Sequence, residues 1–366
     1  MRSAIALLGQ IDSPTDGIQD YCTFLGEALQ RHGIELGQRQ VRWAEKGWIG
    51  ALRQLSREAA DWRGKWVIVQ YTALAWSRRG FPFGALVVLV ILRRRGARVA
   101  TLFHDTVPFG GTRLHDRIRR RIQIWVMRML AIRSERAISA LPVERMPWAR
   151  VDSLRAKFTT IPIGAAIPEL KLEGESLRSA TGTVPTLAVF GITARDAQSI
   201  QREVSDIAYA VRRAAESTSP LRLIALGRGS AEAESALKDA LSGANVEISV
   251  LGLQPAVKIA EVLGASDAML FVRGYISGRR SSAIAGITAG LPVVAYAGPE
   301  TCFPLTEAGI ELAPEGDREA LAAALARVMA ERDYREDLRK RSVRAQAEYF
   351  SWSKIAQQFA ASVITP

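Results

Sequence analysis

The chain of 366 residues has little of what several function classes require. It holds two cysteines, Cys22 and Cys302, far apart in sequence. That excludes a disulfide framework and zinc-ligand spacing, and it fits a reducing, cytoplasmic compartment. Three histidines, His32, His104 and His115, are too few for a His-rich metal centre. There is no His-x-x-x-His pair, Walker loop, Gly-x-Ser-x-Gly elbow or complete Gly-x-Gly-x-x-Gly. The longest apolar run, Phe81 to Leu92, has 12 residues, short of the roughly 20 that a spanning helix needs. Ala4 to Leu8 is too short for a signal-peptide core and reads as a buried strand. No repeat of fixed period and no low-complexity segment occurs.

What is present is a globular balance, 48% apolar and 23% charged residues, over a length that suits two domains of about 100–200 residues. The net charge of +12 is unevenly placed. Residues 1–160 hold 27 Lys+Arg against 13 Asp+Glu, and the remainder holds 22 against 24. A uniformly basic nucleic-acid binder would not show this split, so nucleic acid is not expected as a partner. A protein with one anion-facing domain would show it.

Short apolar runs alternate with amphipathic stretches. Strands are expected at Ala4–Leu8, Trp66–Gln70, Arg98–Phe103, Arg136–Ala140 and Phe158–Ile161. A helix follows the first strand, with Ile18, Tyr21, Cys22, Leu25 and Leu29 on one face, Asp16 as cap and Gly33 as its end. Phe83–Arg95 reads as a second helix. Between Gly164 and Pro185 the periodicity stops, as in a linker. Alternation then resumes, with strands at Leu187–Phe190, Leu221–Leu226, Val246–Val250, Ala268–Val272 and Val293–Tyr296. Helices are expected near 199–217, 231–242, 255–264, 281–289 and 317–331, and the last 35 residues read as helical. The expectation is α/β: two doubly wound, Rossmann-like domains facing across a cleft. They would be 1–165 and 185–351, joined by a linker at 166–184, with a helix at about 352–366 packing back on the first. Such sheets bind ligands beyond the carboxyl ends of their strands.

Five segments are candidates for chemistry. Val272 to Ser282 follows a strand and opens a helix. Its glycines allow close backbone approach, Arg279 and Arg280 can neutralise a pyrophosphate, and Ser281 or Ser282 can cap the helix. The alternative is an ordinary capped surface helix. Leu226-Gly227-Arg228-Gly229-Ser230 sits at another strand–helix junction and suits a turn beneath a nucleotide, although glycines are common there. His104, in Phe103-His104-Asp105-Thr106, is placed to contact a sugar or phosphate or to move a proton, or else is a structural histidine. Asp16-Gly17 either admits a pyrophosphate to a helix N-terminus or is a plain cap. Residues 113–136 carry eight arginines beside a helical stripe of Leu114, Ile118, Ile122, Trp125, Met129 and Ile132. That helix either lies on an anionic membrane or packs its stripe on the first sheet with solvated arginines.

Taken in order, these segments resemble the GT-B glycosyltransferases of family four, of the bacterial polysaccharide type. Asp16-Gly17-Ile18-Gln19-Asp20-Tyr21 resembles the family's glycine loop. Gln70-Tyr71 and Phe103-His104 are similar to its acceptor-side strand ends, and Ile161-Pro162-Ile163-Gly164 to its hinge. Leu226-Gly227-Arg228-Gly229 resembles the donor-site turn, and Val250-Leu251-Gly252-Leu253 the segment flanking the base. Ile276-Ser277-Gly278-Arg279-Arg280-Ser281-Ser282, followed by Ala289-Gly290-Leu291-Pro292-Val293-Val294, resembles a bacterial branch with Ser-x-Arg-Arg in this loop. Phe350-Ser351-Trp352 is similar to the closing Phe-Ser-Trp. The chain departs from the wider family where two glutamates fall on Ser277 and Ala285. It departs again where an Arg and Lys that hold the donor phosphates fall in Ile192–Gln198, which offers only Arg195.

The resemblance implies a retaining transferase that moves a hexose or similar sugar from a nucleotide-diphosphate donor to a glycan or lipid-linked acceptor. It would need no metal or other cofactor, and a donor phosphate oxygen would take the acceptor proton. His104, Arg279 and Arg280 would act in catalysis. Gly17, Arg195, Gly227, Gly229, Gly252, Ser277, Ser281 and Ser282 would hold the donor, and Gln70 and Tyr71 would face the acceptor. Independently of the resemblance, the cysteine usage leads us to expect a cytoplasmic location, and the charge split with the arginine-rich stretch 113–136 an anionic membrane surface as a further partner. The missing glutamates leave a rival, a non-catalytic glycan- or nucleotide-binding protein on the same scaffold. An epimerase on that scaffold is a weaker third reading.

Overall fold

The computed structural model describes residues 2–12, 16–111, 113–169, 184–193, 196–218 and 220–364. The chain divides into two compact units. One runs to Ile163 and takes in the segment from Trp352 onward; the other is Gly164–Ser351.

The first unit runs β1 (Arg2–Leu8), α1 (Gly17–Gln30), β2 (Ile34–Gln40), α2 (Trp43–Glu58), β3 (Trp66–Tyr71), α3 (Phe83–Arg94), β4 (Arg98–Phe103), α4 (Leu114–Arg133), β5 (Arg136–Ser139), α5 (Asp152–Arg155) and β6 (Phe158–Thr160). The strands form one parallel sheet in the order β2-β1-β3-β4-β5-β6. Trp66–Tyr71 is buried throughout because the strand is covered on both faces. Asp16 caps α1, its Oδ1 accepting from the amides of Ile18 (2.8 Å) and Gln19 (2.9 Å). Gly33 follows the end of that helix at φ 69°.

The second unit runs β7 (Thr186–Phe190), α6 (Ala197–Ser217), β8 (Leu221–Leu226), α7 (Glu234–Ala240), β9 (Val246–Gly252), α8 (Ala256–Gly264), β10 (Ala268–Tyr275), α9 (Ser281–Thr288), β11 (Val293–Tyr296), β12 (Ile310–Ala313), α10 (Arg318–Ala330) and α11 (Arg332–Ala345). Its strands are again parallel, in the order β12-β11-β10-β7-β8-β9. A π-helical turn, Gln346–Phe350, leads into α12 (Trp352–Ser362). That helix packs on α1, where the Trp352 ring stacks on Phe24 at 5.6 Å and lies 5.3 Å from Tyr21.

Several expectations change. Val246–Val250 extends to Gly252 and Ala268–Val272 extends to Tyr275, so Arg273 and Gly274 belong to a strand. The strands β2 and β12 and the helix α2 were not expected. β2 and β12 are edge strands with polar or half-exposed faces, so they lack a continuous apolar run. The stretch 166–184 begins inside the second unit, and 170–183 lie outside the described residues.

The α4 stripe is also corrected. The helix packs on the core with Gln123, Val126, Met127, Leu130 and Ala131, whereas Leu114, Ile118, Trp125 and Ile132 are exposed. Both sets recur at helical spacing. Periodicity alone could not say which one faces inward.

Candidate functional site: the carboxyl ends of the second sheet

In the second sheet β7 is flanked by β8 on one side and β10 on the other. Chain connectivity reverses direction there, which opens a crevice beyond the carboxyl ends of β7 and β10. Gly191 leaves β7 at φ 82° and Gly227 leaves β8 at φ 85°. The Gly191 amide donates to Leu226 O at 2.8 Å, and the Gly227 amide to Gly252 O at 2.7 Å. A Cβ at Gly227 would lie 2.7 Å from the Phe190 ring. Both positions therefore exclude side chains on backbone and steric grounds. Gly229 begins the turn into α7, its carbonyl accepting from the Ala233 amide at 3.2 Å. Ser230 is buried and donates to Gly227 O at 2.8 Å, which locks this turn.

The cations of the site come from β10 and the loop after it. Arg273 lies against Gly191, and a Cβ there would meet its Nη1 at 3.1 Å. Arg279 donates from Nε to Glu300 Oε2 at 3.0 Å and from Nη2 to Oε1 at 2.8 Å. This fork-to-carboxylate pair is largely buried, with the Glu300 side chain only 4% exposed. Glu300 is held in turn by its loop. Thr301 Oγ1 accepts from the Gly298 amide (2.9 Å) and donates to Ile276 O (2.7 Å), which ties the loop after β11 to the loop after β10. Burial, with the Glu300 carboxylate adding, pushes the Tyr275 phenol above its ordinary range. Neither Arg273 nor Glu300 was among the expected site residues. A strand reading that continued past Val272 would have found the first. The second comes from a different loop, and no local signal marks it.

Serine capping of α9 is corrected. The residue before the helix is Arg280, and no side chain caps its first turn. Ser277 acts one turn earlier: it is buried, and its Oγ accepts from the Arg279 amide at 3.2 Å. Ser281 and Ser282 open the helix, each half-buried. Arg195 lies outside the described residues.

In the first unit the corresponding strand ends carry His104, Gln70 and Tyr71. His104 Nε2 lies 2.7 Å from Gln70 Oε1, and Gln70 Nε2 donates to Ile68 O. With Gln70 Oε1 the acceptor, His104 Nε2 is the donor of this hydrogen bond. The Tyr21 ring meets His104 edge-on at 5.3 Å. Tyr71 corrects an expectation. It is fully buried against Phe103, 5.4 Å away, and is a core residue rather than an acceptor contact. Burial, with Asp105 adding, pushes its phenol up, so it stays neutral. Gln70 is buried as well and acts on His104.

At the start of α1, Asp16 takes the two amides that a phosphate would use, and its Oδ2 accepts from the Asp12 amide at 2.8 Å. A Cβ at Gly17 would meet nothing within 4 Å, so no close approach requires a glycine there. Among the described residues no group of three His, Cys, Asp or Glu side chains is gathered for a metal.

No protein-family model matches the chain, and no curated protein does. Solved structures do. The chain is similar to HepE of Anabaena in complex with UDP and glucose, at 14% identity over 100% of both chains and a TM-score of 0.68. It is similar to a sucrose-phosphate synthase from Thermosynechococcus elongatus, at 17% identity over 99% of this chain and 98% of that one, with a TM-score of 0.72. A glycosyltransferase from Rickettsia africae is 13% identical over 98% and 97%, with a TM-score of 0.67. Two six-stranded parallel sheets with flanking helices, matched end to end, are the two-domain Rossmann-like fold of the GT-B glycosyltransferases.

Proposed function

We propose that the protein is a retaining glycosyltransferase that moves a hexose from a nucleoside diphosphate to a glycan or lipid-linked acceptor. The observation that supports this reading is that Arg273, near the end of β10, lies against the bare backbone of Gly191, while Arg279 and Arg280 lie in the loop that leaves the same strand. Fixed guanidinium groups facing a leaving diphosphate stabilise the charge that develops as the sugar C1–O bond breaks. The acceptor oxygen bonds to C1, and its proton passes to the departing phosphate oxygen. No metal is needed in this scheme. UDP is the donor nucleotide to test first, because HepE, a neighbour in fold, was crystallised with it. The second unit takes the donor. The basic first unit takes the acceptor, with His104 as its candidate catalytic residue, at a cytoplasmic membrane surface.

Calorimetric titration with UDP tests the donor assignment. Arg280→Ala, and separately Arg279→Ala with Arg280→Ala, should weaken binding by about 1.5–3 kcal/mol per lost charged hydrogen bond. Unchanged affinity in the double variant refutes the site. Incubation with UDP-glucose and a lipid-linked or oligosaccharide acceptor then separates transfer from binding without turnover.

A further inference from the structure

We propose that Trp352, acting through Tyr21, is a positioning residue for His104; this rests on the reading of His104 as a catalytic group. His104 is half-buried and follows β4 directly. Its Nε2 lies 2.7 Å from Gln70 Oε1. Gln70 is itself fixed, since its Nε2 donates to Ile68 O at 3.3 Å and its backbone carbonyl accepts from Trp76 Nε1 at 2.9 Å. One hydrogen bond pins one ring atom. The imidazole plane can still pivot about that atom, and a group that moves a proton needs its plane aimed. Tyr21 supplies the second hold. Its ring meets the imidazole edge-on, with centroids 5.3 Å apart and planes at 85°, a geometry that aromatic rings prefer.

Trp352 backs Tyr21 in turn. Tyr21 and Phe24 stand three residues apart on α1 and so share a face. The indole covers both, tilted against Tyr21 at 5.3 Å and stacked on Phe24 at 5.6 Å and 13°. Its own helix holds it there. Trp352, Ile355, Ala356 and Phe359 are buried on one face of α12, and the chain returns to the first unit at Trp352. Core packing alone accounts for the indole on Phe24. It does not account for a titratable ring at the end of the row. Gln70, Tyr21 and Trp352 are buried, and His104 is the one member of the set left open to water. A rigid buried frame behind an accessible tip is how a reacting group is kept in aim. The C-terminal helix thereby contributes to the chemistry of a sheet whose strands were complete some 190 residues earlier.

The chain has three histidines, so full-length protein labelled in its histidine rings gives three imidazole signals by NMR, with His104 assigned from His104→Gln. Trp352→Ala should move the His104 signal and leave those of His32, just past α1, and His115 in place. If that variant fails to fold by circular dichroism, Trp352→Leu replaces it. In turnover of a nucleotide sugar, Trp352→Ala should lower kcat by about five- to tenfold, within the roughly hundredfold that a misplaced group costs, and change KM by less than about twofold. In a His104→Ala background the same substitution should alter kcat by less than about twofold, because nothing is left to position. Trp352→Phe keeps a ring on Tyr21 and should recover most of the rate. Phe359→Leu loosens the same helix about 10 Å further along and should leave both the signal and kcat unchanged. The proposal is overturned by a His104 signal that Trp352→Ala does not move, or by His32 moving with it, which would mean that α1 itself is displaced. An equal rate loss in the His104→Ala background also overturns it. A protein that turns over no nucleotide sugar refutes the transfer reading, and the His104 signal then decides the placement alone.

Discussion

Replacing Glu300 by Gln tests whether Arg279 is held in place for a ligand. The substitution keeps shape, removes one negative charge and turns one accepting oxygen into a donor facing Arg279 Nη2 or Nε. In the native protein two charged hydrogen bonds, at 2.8 and 3.0 Å, join these side chains. Each contributes about 1.5–3 kcal/mol, and stranding one member of a buried pair costs about 3–5 kcal/mol. Arg279 retains about a seventh of its side-chain exposure, so water recovers part of that loss. An expected cost of about 2–4 kcal/mol follows. Two-domain chains seldom unfold in a single step, so the readout is hydrogen exchange of β10 and β11 amides, which reports opening of this unit. UDP at saturation should restore part of the lost protection, because its phosphates replace the missing negative charge. Arg279→Ala with Glu300→Ala should cost less than the sum of the single changes. A loss under about 1 kcal/mol, or strict additivity, would show that the pair positions nothing.

His104→Ala should lower the transfer rate at least tenfold, about 1.4 kcal/mol or more in barrier, with little change in melting temperature; a large fall in melting temperature with normal specific activity would make the residue structural. Turnover should persist in excess EDTA, since the proposed scheme uses fixed guanidinium groups in place of a metal; loss that magnesium or manganese restores would refute this. Gly309→Ala should destabilise the second unit by about 3 kcal/mol, because a Cβ there would collide with the Leu338 carbonyl, which is backbone and cannot swing aside. Thermal unfolding within a degree of the native protein would contradict that packing.

The elements legible in the sequence were those with one unambiguous face. β3 and β4 are nearly continuous apolar runs because parallel strands are covered on both sides. β2 reads Ile-Glu-Leu-Gly-Gln-Arg-Gln and has a buried partner on one side only, so its pattern is weak. α4 misled for the opposite reason. It carries two apolar stripes, and periodicity cannot tell an inner one from an outer one. Within the candidate site, Gly227 and Arg279 were legible because both sit in the junction that follows a strand. Glu300 was not, since its relation to Arg279 spans 21 residues and two loops. The family resemblance of Gln70-Tyr71 puts Tyr71 on the acceptor side, yet its ring turns into the core beside Phe103.

The absent glutamate pair has a physical counterpart in this chain. Ala285 is buried within α9, so a carboxylate at that position would be desolvated and would need a partner. Ser277 is buried too, with its hydroxyl committed to the Arg279 amide. Two carboxylates stand at this end of the sheet instead: Glu203, which accepts from the Thr193 amide after β7, and Glu300, which enters from the loop after β11 and pairs with Arg279. That changes what the site can do to an anion. A glutamate facing the donor would repel its phosphates while binding its sugar hydroxyls; here the carboxylate orients a cation. Glu300 holds the Arg279 guanidinium in a fixed plane, so it would not reorganise when charge develops nearby. In the proposed transfer reaction a cation held this way would favour the departing diphosphate over the intact donor, since the leaving group carries more negative charge. Such a difference in binding would lower a transfer barrier, and the Glu300→Gln exchange experiment together with a turnover assay tests whether the site uses it.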